Sequence, residues 1–134
     1  MLYFAYGSNL NHFQMKRRCK DSAFLKKINL TNFKLTFRSK YRAADIEPKM
    51  NSIVPGALFE ISKSDEKKLD VYEDYPILYK KHYFTYYGKK VMTYIMEKKT
   101  PFAYPTERYL NVVKKGYKDC NLKIEHLKRG LKNR

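Results

Sequence analysis

The chain has 134 residues, 43% of them hydrophobic, and its 29 lysines and arginines against 13 aspartates and glutamates give a formal net charge of +16. This length suits one domain with a single core, so residues 1–134 are predicted to form one domain with a basic C-terminal tail over about residues 128–134. No apolar run approaches membrane-spanning length, and the first residues lack the pattern of a secretory signal. The two cysteines, Cys19 and Cys120, have no metal or redox spacing and are predicted to be free thiols, which favours a cytoplasmic protein without a membrane partner.

Hydrophobic patterning divides the first half of the chain into short strands around one short helix. Asn9 or Asn11 is expected to cap that helix, which ends near Cys19. Leu10 and Phe13 are expected to face inward, with Met15 as a further candidate. Pro55 is expected to place the last of these strands at a sheet edge or at a bulge. The predicted elements are a strand over residues 2–6, the helix, two strands over 23–30 and 33–37 joined near Asn32, a loop over 39–52 and a strand over 53–61.

The second half of the chain predicts a capped helix, a hairpin and two further helices. Ser62 to Asp65 has the S-x-x-D form of a capping box, and Pro76 must end the helix, so Glu73 falls in its last turn or just after it. The other predicted elements are strands over residues 79–87 and 90–98 joined by a two-residue turn at Gly88-Lys89, a helix capped by Thr106, and a final helix from about Asn121. The prevalence of paired strands predicts an α+β domain: a small, curved, barrel-like and mainly antiparallel sheet with flanking helices.

The positive charge is densest between Lys16 and Arg42, where ten basic residues meet a single acid, Asp21. Such a surface attracts anions and can bind nucleic acid without reading its sequence. The frequent use of Lys, Asn, Tyr and Ile is also what AT-rich codons produce, and no nucleic-acid motif accompanies the charge. The simpler interpretation is therefore that the charge only keeps the surface soluble.

Familiar catalytic and metal-binding patterns are missing from the sequence. His12, His82 and His126 are scattered without ligand spacing, and there is no nucleophile elbow, phosphate-binding loop or dinucleotide motif. No metal site and no cofactor are predicted.

Two features of the sequence remain: the turn from Gly7 to Asn9, and Glu73. Backbone N–H groups at a strand-to-helix turn can converge on a carboxylate or a developing oxyanion, although a plain turn with an Asn cap explains the same residues. Glu73 lies one helical turn beyond Leu69, on the side expected to face the core, and has several tyrosines nearby. Desolvation there would raise the pKa of the carboxyl toward neutrality, as a general base or acid requires, whereas a solvated Glu at a helix end is the alternative.

Taken together, "LYFAYGSNL" at residues 2–10 and "LDVYEDYPILY" at residues 69–79 resemble the gamma-glutamylcyclotransferase family. The first stretch is similar to the substrate-binding loop of the family, and the second to its "LD-x-x-E" segment. The stretches "FKLTF", "VPGALFEIS" and "PTERYLNVVKKGYKDCNL" resemble further family segments, so the likeness spans most of the chain. The resemblance implies a small β-barrel or highly curved mixed sheet with flanking helices, and no cofactor or metal.

The resemblance also implies a reaction and the residues that carry it. The family releases 5-oxoproline from γ-glutamyl compounds, by attack of the substrate's own α-amine on its γ-carbonyl, and its catalytic Glu corresponds to Glu73. The implied partner is a small γ-glutamyl molecule, and the chain is expected to be a monomer or a homodimer. The family's binding positions correspond to Tyr3, Phe4, Ala5, Tyr6, Gly7, Ser8, Asn9, Tyr109 and, with a one-residue gap, Tyr79.

Three positions depart from the family pattern. Asp74 stands where Gly usually follows the catalytic Glu, and this second carboxylate is expected either to raise the pKa of Glu73 or to face water. Asn121 and Lys123 replace a usual Gly and Pro; because Asn tolerates left-handed backbone, the turn is expected to survive. The alternative to a cyclotransferase is a non-catalytic module of the same fold that binds a small ligand, or that binds nucleic acid through the basic stretch from Lys16 to Arg42.

Overall fold

A computed structural model describes residues 1–132 as a five-stranded sheet with four helices packed around it. The mixed α+β class predicted from the sequence is confirmed. The strands are β1 (Leu2–Ala5), β2 (Ala23–Arg38), β3 (Ala43–Glu60), β4 (Tyr79–Tyr86) and β5 (Lys89–Met96). The helices are α1 (His12–Arg18), α2 (Lys63–Tyr72), α3 (Glu107–Asp119) and α4 (Ile124–Leu131), with a short 3-10 turn over Ser8–Leu10. Within residues 1–132, no helix combines the length and the apolar character needed to cross a membrane.

The sheet is open, with the strand order β2-β3-β1-β5-β4. Three of its strand pairs are antiparallel, and only β1 and β5 run parallel. Because β2 and β4 are edge strands, the sheet is not closed into the barrel that the sequence suggested. Curvature still brings these edges near each other: the rings of Phe33 and His82 lie 5.7 Å apart, and the Lys26 Nζ atom lies 5.8 Å from the ring centre of Tyr86.

Strands β2 and β3 are longer than their hydrophobic pattern indicated. One strand replaces the two predicted before residue 38, since Asn32 adopts a φ of 63° within an irregularity between Thr31 and Phe33 rather than ending the strand. Residues 43–52, predicted to be loop, continue β3 in pairing with β2. Only Ala44 and Ile46 of the apolar side chains there are deeply buried. A segment with so short a buried face carries little period-two signal, so its strand character was missed.

Pro55 lies inside β3 at a point where this strand has one neighbour. It pairs with Asn29 of β2, whereas β1 pairs only with residues 57–60 of β3. The missing N–H of the proline is therefore tolerated at a local edge, although β3 as a whole lies between β2 and β1 and not at the sheet edge that the sequence predicted.

Helix α1 is capped by Asn11 rather than Asn9, and its exposed face was partly mispredicted. The Asn11 side chain accepts the N–H of Gln14 at 3.0 Å. Phe13, predicted to face inward, is 69% exposed. Met15, the further candidate for the inward face, is buried, and residues two apart in a helix point to nearly opposite sides, so Phe13 and Met15 cannot both face the core.

The later elements follow their sequence signals closely. Ser62 and Asp65 form the predicted capping box of α2, and Thr106 caps α3. The β4–β5 turn lies at Tyr87 and Gly88, one residue earlier than predicted, because both adopt left-handed φ angles of 47° and 79°. Helix α4 includes residues 128–131 of the predicted basic tail, and residues 133 and 134 of that tail lie outside the described part of the chain.

Helix α3 holds the segment after β1 in place. A Cβ atom on Gly116 would lie 2.6 Å from the backbone nitrogen of Asn11 and 2.6 Å from the Cβ atom of Leu10, so only glycine permits this close approach. The Asn11 side-chain amide also donates to the carbonyl of Val112 at 3.2 Å. The loop between β1 and α1 is thus clamped between the sheet and α3.

Candidate active site

A cavity of about 340 Å³ opens where β1 ends and α2 ends. Most of the predicted site residues lie in its wall: Tyr3, Tyr6, Gly7, Ser8, Asn9, Glu73, Tyr79 and Tyr109. Its wall also includes residues that the sequence analysis did not assign to a site: Tyr41, Ala43, Ala44, Tyr72, Asp74, Leu78, Thr93 and Tyr94. The fold therefore brings together residues that are more than 100 positions apart in the chain.

Two of the predicted binding residues, Phe4 and Ala5, do not line the cavity. Phe4 is completely buried, with its ring centre 6.3 Å from that of Tyr6 and 5.8 Å from that of Phe84. Ala5 is also buried in the core. Successive side chains of a strand point to opposite faces, so β1 contributes Tyr3 to the cavity and Phe4 to the core. Their assignment to substrate binding stays a prediction.

Glu73 caps the C-terminus of α2, where its N–H donates to the carbonyl of Leu69 at 2.8 Å. Its side chain is half-buried and opens into the cavity. Burial raises the pKa of Glu73 from 4.5 to about 7, and the guanidinium of Arg18 opposes part of this rise. Among residues 1–132 the carboxyl has no hydrogen-bond partner. A group with a pKa of about 7 has both protonation states populated near neutral pH. A group that can both take and give a proton is what general acid–base catalysis requires.

Asp74 faces water rather than acting on Glu73. Its φ of 54° is the left-handed conformation that the usual Gly adopts most readily. The side chain is exposed at the cavity wall and makes no contribution to the raised pKa of Glu73. Asn121 has a φ of 57°. This second departure from the family pattern therefore also adopts the left-handed backbone conformation that a Gly would adopt readily.

A side chain on Gly7 would crowd two neighbours in the cavity wall. An added Cβ atom would lie 3.1 Å from the Cβ atom of Ala44 and 3.2 Å from the hydroxyl oxygen of Tyr109. Neither Gly7 nor Ser8 donates its backbone N–H to an acceptor within the described chain. Two residues of the cavity wall therefore have backbone donors without a partner in the described chain.

Tyrosine hydroxyls stabilise the inner wall. Tyr6 donates to the carbonyl of Tyr94 at 2.6 Å, and Tyr3 accepts from the side-chain amide of Asn9 at 3.0 Å. Burial raises the pKa of Tyr3 and that of Tyr6 well above the ordinary value, so both stay neutral. These rings give the cavity an apolar lining with few polar groups, as in many small-molecule sites.

Arg18, at the end of α1, was not predicted as a site residue. Its guanidinium carbon lies 3.5 Å from the ring centre of Tyr72, and its Nη1 atom donates to the Asn9 side-chain oxygen at 2.5 Å and to the Ser8 hydroxyl at 3.3 Å. The hydroxyl groups of Ser8 and Tyr72 lie 3.0 Å apart. The sequence offered only the membership of Arg18 in a basic stretch as a signal, because these contacts join residues up to 64 positions apart.

The basic stretch from Lys16 to Arg42 does not form one free surface. Besides Arg18, the side chain of Arg38 is engaged: it is 6% exposed and pairs with Asp45 at 3.1 Å and with Glu47. Several of its charges are thus used within the fold, which weakens the basis for a continuous nucleic-acid surface.

Neither cysteine belongs to the cavity wall. Cys19 and Cys120 are free and buried, as free thiols were predicted. Burial raises the pKa of each thiol to about 12, so neither is a ready nucleophile. The described residues also contain no group of three or more His, Cys, Asp or Glu side chains that could hold a metal ion.

Comparisons with known proteins agree with this geometry. A solved structure named gamma-glutamyl cyclotransferase has a TM-score of 0.84 and 26% identity, covering 100% of this chain and 88% of its own. The structure of an uncharacterized human protein has a TM-score of 0.82 and 27% identity, covering 99% of this chain and 87% of its own. YkqA from Bacillus subtilis, at 21% identity over 98% of this chain and 54% of its own, shares the fold with a TM-score of 0.79.

A search of the curated proteins found no significant match. The model of the family described as "Gamma-glutamyl cyclotransferase, AIG2-like" matches residues 3–116, most of the chain. The protein therefore belongs to the gamma-glutamyl cyclotransferase, AIG2-like family.

Proposed function

We propose that the protein is a cyclotransferase that releases 5-oxoproline from a γ-glutamyl amino acid, peptide or amine, with Glu73 as its general base and acid. Family membership supports cyclotransferase activity broadly. The finer assignment is carried by one observation: a carboxyl with a pKa of about 7 stands in a tyrosine-lined cavity beside two unused backbone donors, those of Gly7 and Ser8.

The reaction needs no nucleophile from the enzyme because the substrate carries its own. The substrate α-ammonium, with a pKa near ~8, gives a proton to the Glu73 carboxylate. The freed nitrogen lone pair forms a bond to the γ-carbonyl carbon, and the carbonyl electron pair moves to its oxygen. When this intermediate collapses, the bond from the γ-carbon to the leaving amine breaks as Glu73 gives its proton to the departing nitrogen. The freed Glu73 carboxylate then takes the second proton that the ring nitrogen must lose and passes it to solvent. The products are 5-oxoproline and a free amine.

The cavity would supply the remaining catalysis by binding and orientation. The N–H groups of Gly7 and Ser8 would donate to the substrate α-carboxylate or to the developing oxyanion. The walls formed by Tyr3, Tyr6 and Tyr79 would hold the flexible glutamyl chain in a ring-like conformation, with the amine close to the carbonyl. The proposal requires no metal or cofactor. The two free thiols support a reducing compartment such as the cytoplasm, and the acting species is proposed to be a monomer or homodimer.

A panel of γ-glutamyl compounds tests the proposal directly. The purified chain is incubated with each compound, and 5-oxoproline is measured by chromatography. Glu73→Gln is expected to lower kcat/KM by about 10²- to 10⁴-fold while retaining the fold. Asp74→Asn is the matched control, because it removes the neighbouring carboxylate that faces water. Full activity in Glu73→Gln would remove Glu73 from the mechanism.

The alternative is a non-catalytic module of the same fold. It predicts ligand binding without release of 5-oxoproline, and an affinity indifferent to Glu73→Gln. If the ligand were nucleic acid bound through the basic stretch from Lys16 to Arg42, the affinity would fall steeply with salt. Filter binding of a mixed-sequence RNA and DNA at two salt concentrations separates this case from the first.

A further inference from the structure

We propose that Arg18 is a positioning residue of this site, whose guanidinium fastens the binding loop at Ser8 and Asn9 to the end of α2 that carries Glu73. This role rests on the proposed function. Arg18 does not lie in the cavity wall, so it acts through its neighbours and not on the substrate.

One guanidinium makes all the contacts that this role requires. Its guanidinium carbon lies over the ring of Tyr72, 3.5 Å from the ring centre, while its Nη1 atom donates to Asn9 at 2.5 Å and to Ser8 at 3.3 Å. A planar group with donors along its edge can stack and donate at once. The ammonium of a lysine is a compact point charge and cannot reproduce this combination.

The contacts join the two halves of the site. Ser8 and Asn9 belong to the loop whose backbone N–H groups are left for the substrate, and Tyr72 immediately precedes Glu73 in the chain. The 3.0 Å contact between the hydroxyl groups of Ser8 and Tyr72 completes the link. Arg18 therefore controls the separation between the backbone donors and the carboxylate, and intramolecular attack is sensitive to that separation.

Arg18 also supplies the charge that acts on Glu73. The titratable side chains that face Glu73 from the surrounding elements are tyrosines: Tyr3 of β1, Tyr6 after it, Tyr79 of β4, Tyr94 of β5 and Tyr109 of α3. The carboxylate of Asp74 lies in the cavity wall but does not contribute to the shift. Within the described chain, Arg18 is the charged group that lowers the pKa of Glu73 against the effect of burial.

Three variants separate geometry from charge. Arg18→Met removes the donors and the charge, and Arg18→Lys keeps the charge alone. Arg17→Met is the matched control, because Arg17 lies in the same helical turn and is exposed. Within residues 1–132 its guanidinium interacts only with the ring of Phe13, whose centre lies 5.7 Å away. The pH dependence of kcat/KM for 5-oxoproline release is measured for each variant.

We expect Arg18→Met to lower kcat/KM at pH 7 by about 10- to 100-fold and to move the acid limb of the profile to higher pH. Arg18→Lys is expected to restore the position of the limb but not the value of kcat. Arg17→Met should have the same kcat and the same position of the acid limb as the unmodified chain. If Arg18→Met does not fold, Arg18→Lys alone tests the geometric role. An Arg18→Lys variant with unchanged kcat would overturn the proposal.

Two measurements without substrate keep this role distinguishable from the proposed function. The carboxyl carbon of Glu73 is titrated by NMR, and amide hydrogen exchange is followed in residues 7–9. Arg18→Met should raise the midpoint of the titration and speed exchange in the loop, whereas Arg17→Met should change neither. If the unmodified chain released no 5-oxoproline, the proposed function would fail while these readouts still tested Arg18. An unchanged midpoint together with unchanged exchange would exclude the positioning role.

Discussion

The hydroxyl of Tyr79 donates a 2.5 Å hydrogen bond to the backbone carbonyl of Ala44, and so joins the start of β4 to the start of β3. The N–H of the same Ala44 donates to the hydroxyl of Tyr109 at 3.0 Å. At this point β3 pairs with β2 on one side and has no strand on the other. Tyrosine hydroxyls thus pair the backbone groups of Ala44 that no strand pairs, and all three residues lie in the cavity wall.

Removing either hydroxyl should cost stability as well as activity. Tyr79→Phe leaves the carbonyl of Ala44 without its donor, and Tyr109→Phe leaves its N–H without an acceptor. Because each unpaired buried group keeps its desolvation cost, we expect a loss of about 1–3 kcal/mol in the free energy of unfolding, measured by urea titration. Tyr104→Phe is the control because its ring is exposed, and it should change the free energy of unfolding by less than about 0.5 kcal/mol. Equal urea midpoints for all three variants would contradict this role.

The pH profile of the reaction should be bell-shaped. Glu73 must be ionised to accept a proton, so kcat/KM is expected to rise with pH through about 7, the pKa of Glu73. Above the substrate pKa near ~8, the α-ammonium has already lost the proton that Glu73 later gives to the leaving amine, and the rate should fall. A steady-state profile between pH 5 and 10 checks both limbs. A flat profile through pH 7 would exclude a base with the pKa of Glu73.

The stability of the chain should also report on Glu73. Its pKa is raised in the folded state, from 4.5 to about 7, so the folded state favours the protonated form. Stability from this group is full below pH 4.5 and is lost as pH rises to 7. Glu73→Gln is neutral throughout and lacks this loss. Its free energy of unfolding, relative to the unmodified chain, should increase by about 3 kcal/mol between pH 4 and pH 8, measured in urea. A constant difference across this range would contradict the raised pKa.

Gly7→Ala should damage the site by crowding it. The new methyl group would meet Ala44 at 3.1 Å and the hydroxyl of Tyr109 at 3.2 Å, and one of them would have to move. We expect a loss of about 1–3 kcal/mol in stability and a fall in kcat/KM larger than stability alone explains. Ser64→Ala, at an exposed position in α2, is a control for a small substitution away from the cavity. Unchanged activity in Gly7→Ala would show that the wall tolerates this displacement.

The backbone at Asp74 should accept glycine and reject a β-branched residue. Its φ of 54° is left-handed, so Asp74→Gly is expected to keep or raise the free energy of unfolding, whereas Asp74→Val should lower it by about 1–2 kcal/mol. Because the carboxylate of Asp74 does not act on Glu73, the acid limb of the pH profile should stay in place in both variants. A limb displaced to lower pH in Asp74→Gly would indicate that the two carboxylates interact.

Features that depend on nearby residues could be predicted from the sequence. The capping box at Ser62 and Asp65 and the cap at Thr106 join side chains to backbone groups three residues away, so their spacing is visible in the chain. Helical spacing from Leu69 likewise predicted that Glu73 points inward, and the structure places it in the cavity wall.

Features that arise only from folding were missed. The extension of β3 over residues 43–52 depends on pairing with β2 and has little hydrophobic pattern of its own. The contacts of Arg18 with Ser8 and Tyr72 join separate elements, and nothing in the local sequence distinguishes Arg18 from its neighbour Arg17. The open cavity at Ala44, where a barrel was expected, also depends on which strands find partners.

The thiol of Cys19 can be used to measure local opening of the structure between α1 and α2. Its sulfur is completely buried and lies 3.7 Å from the carbonyl oxygen of Asp65, between the end of α1 and the beginning of α2. A thiol held in this way reacts with an alkylating reagent only during moments when the two helices part. The alkylation rate at Cys19 therefore reports how often the two helices separate. Cys19 directly follows Arg18, the residue proposed to link the two halves of the site.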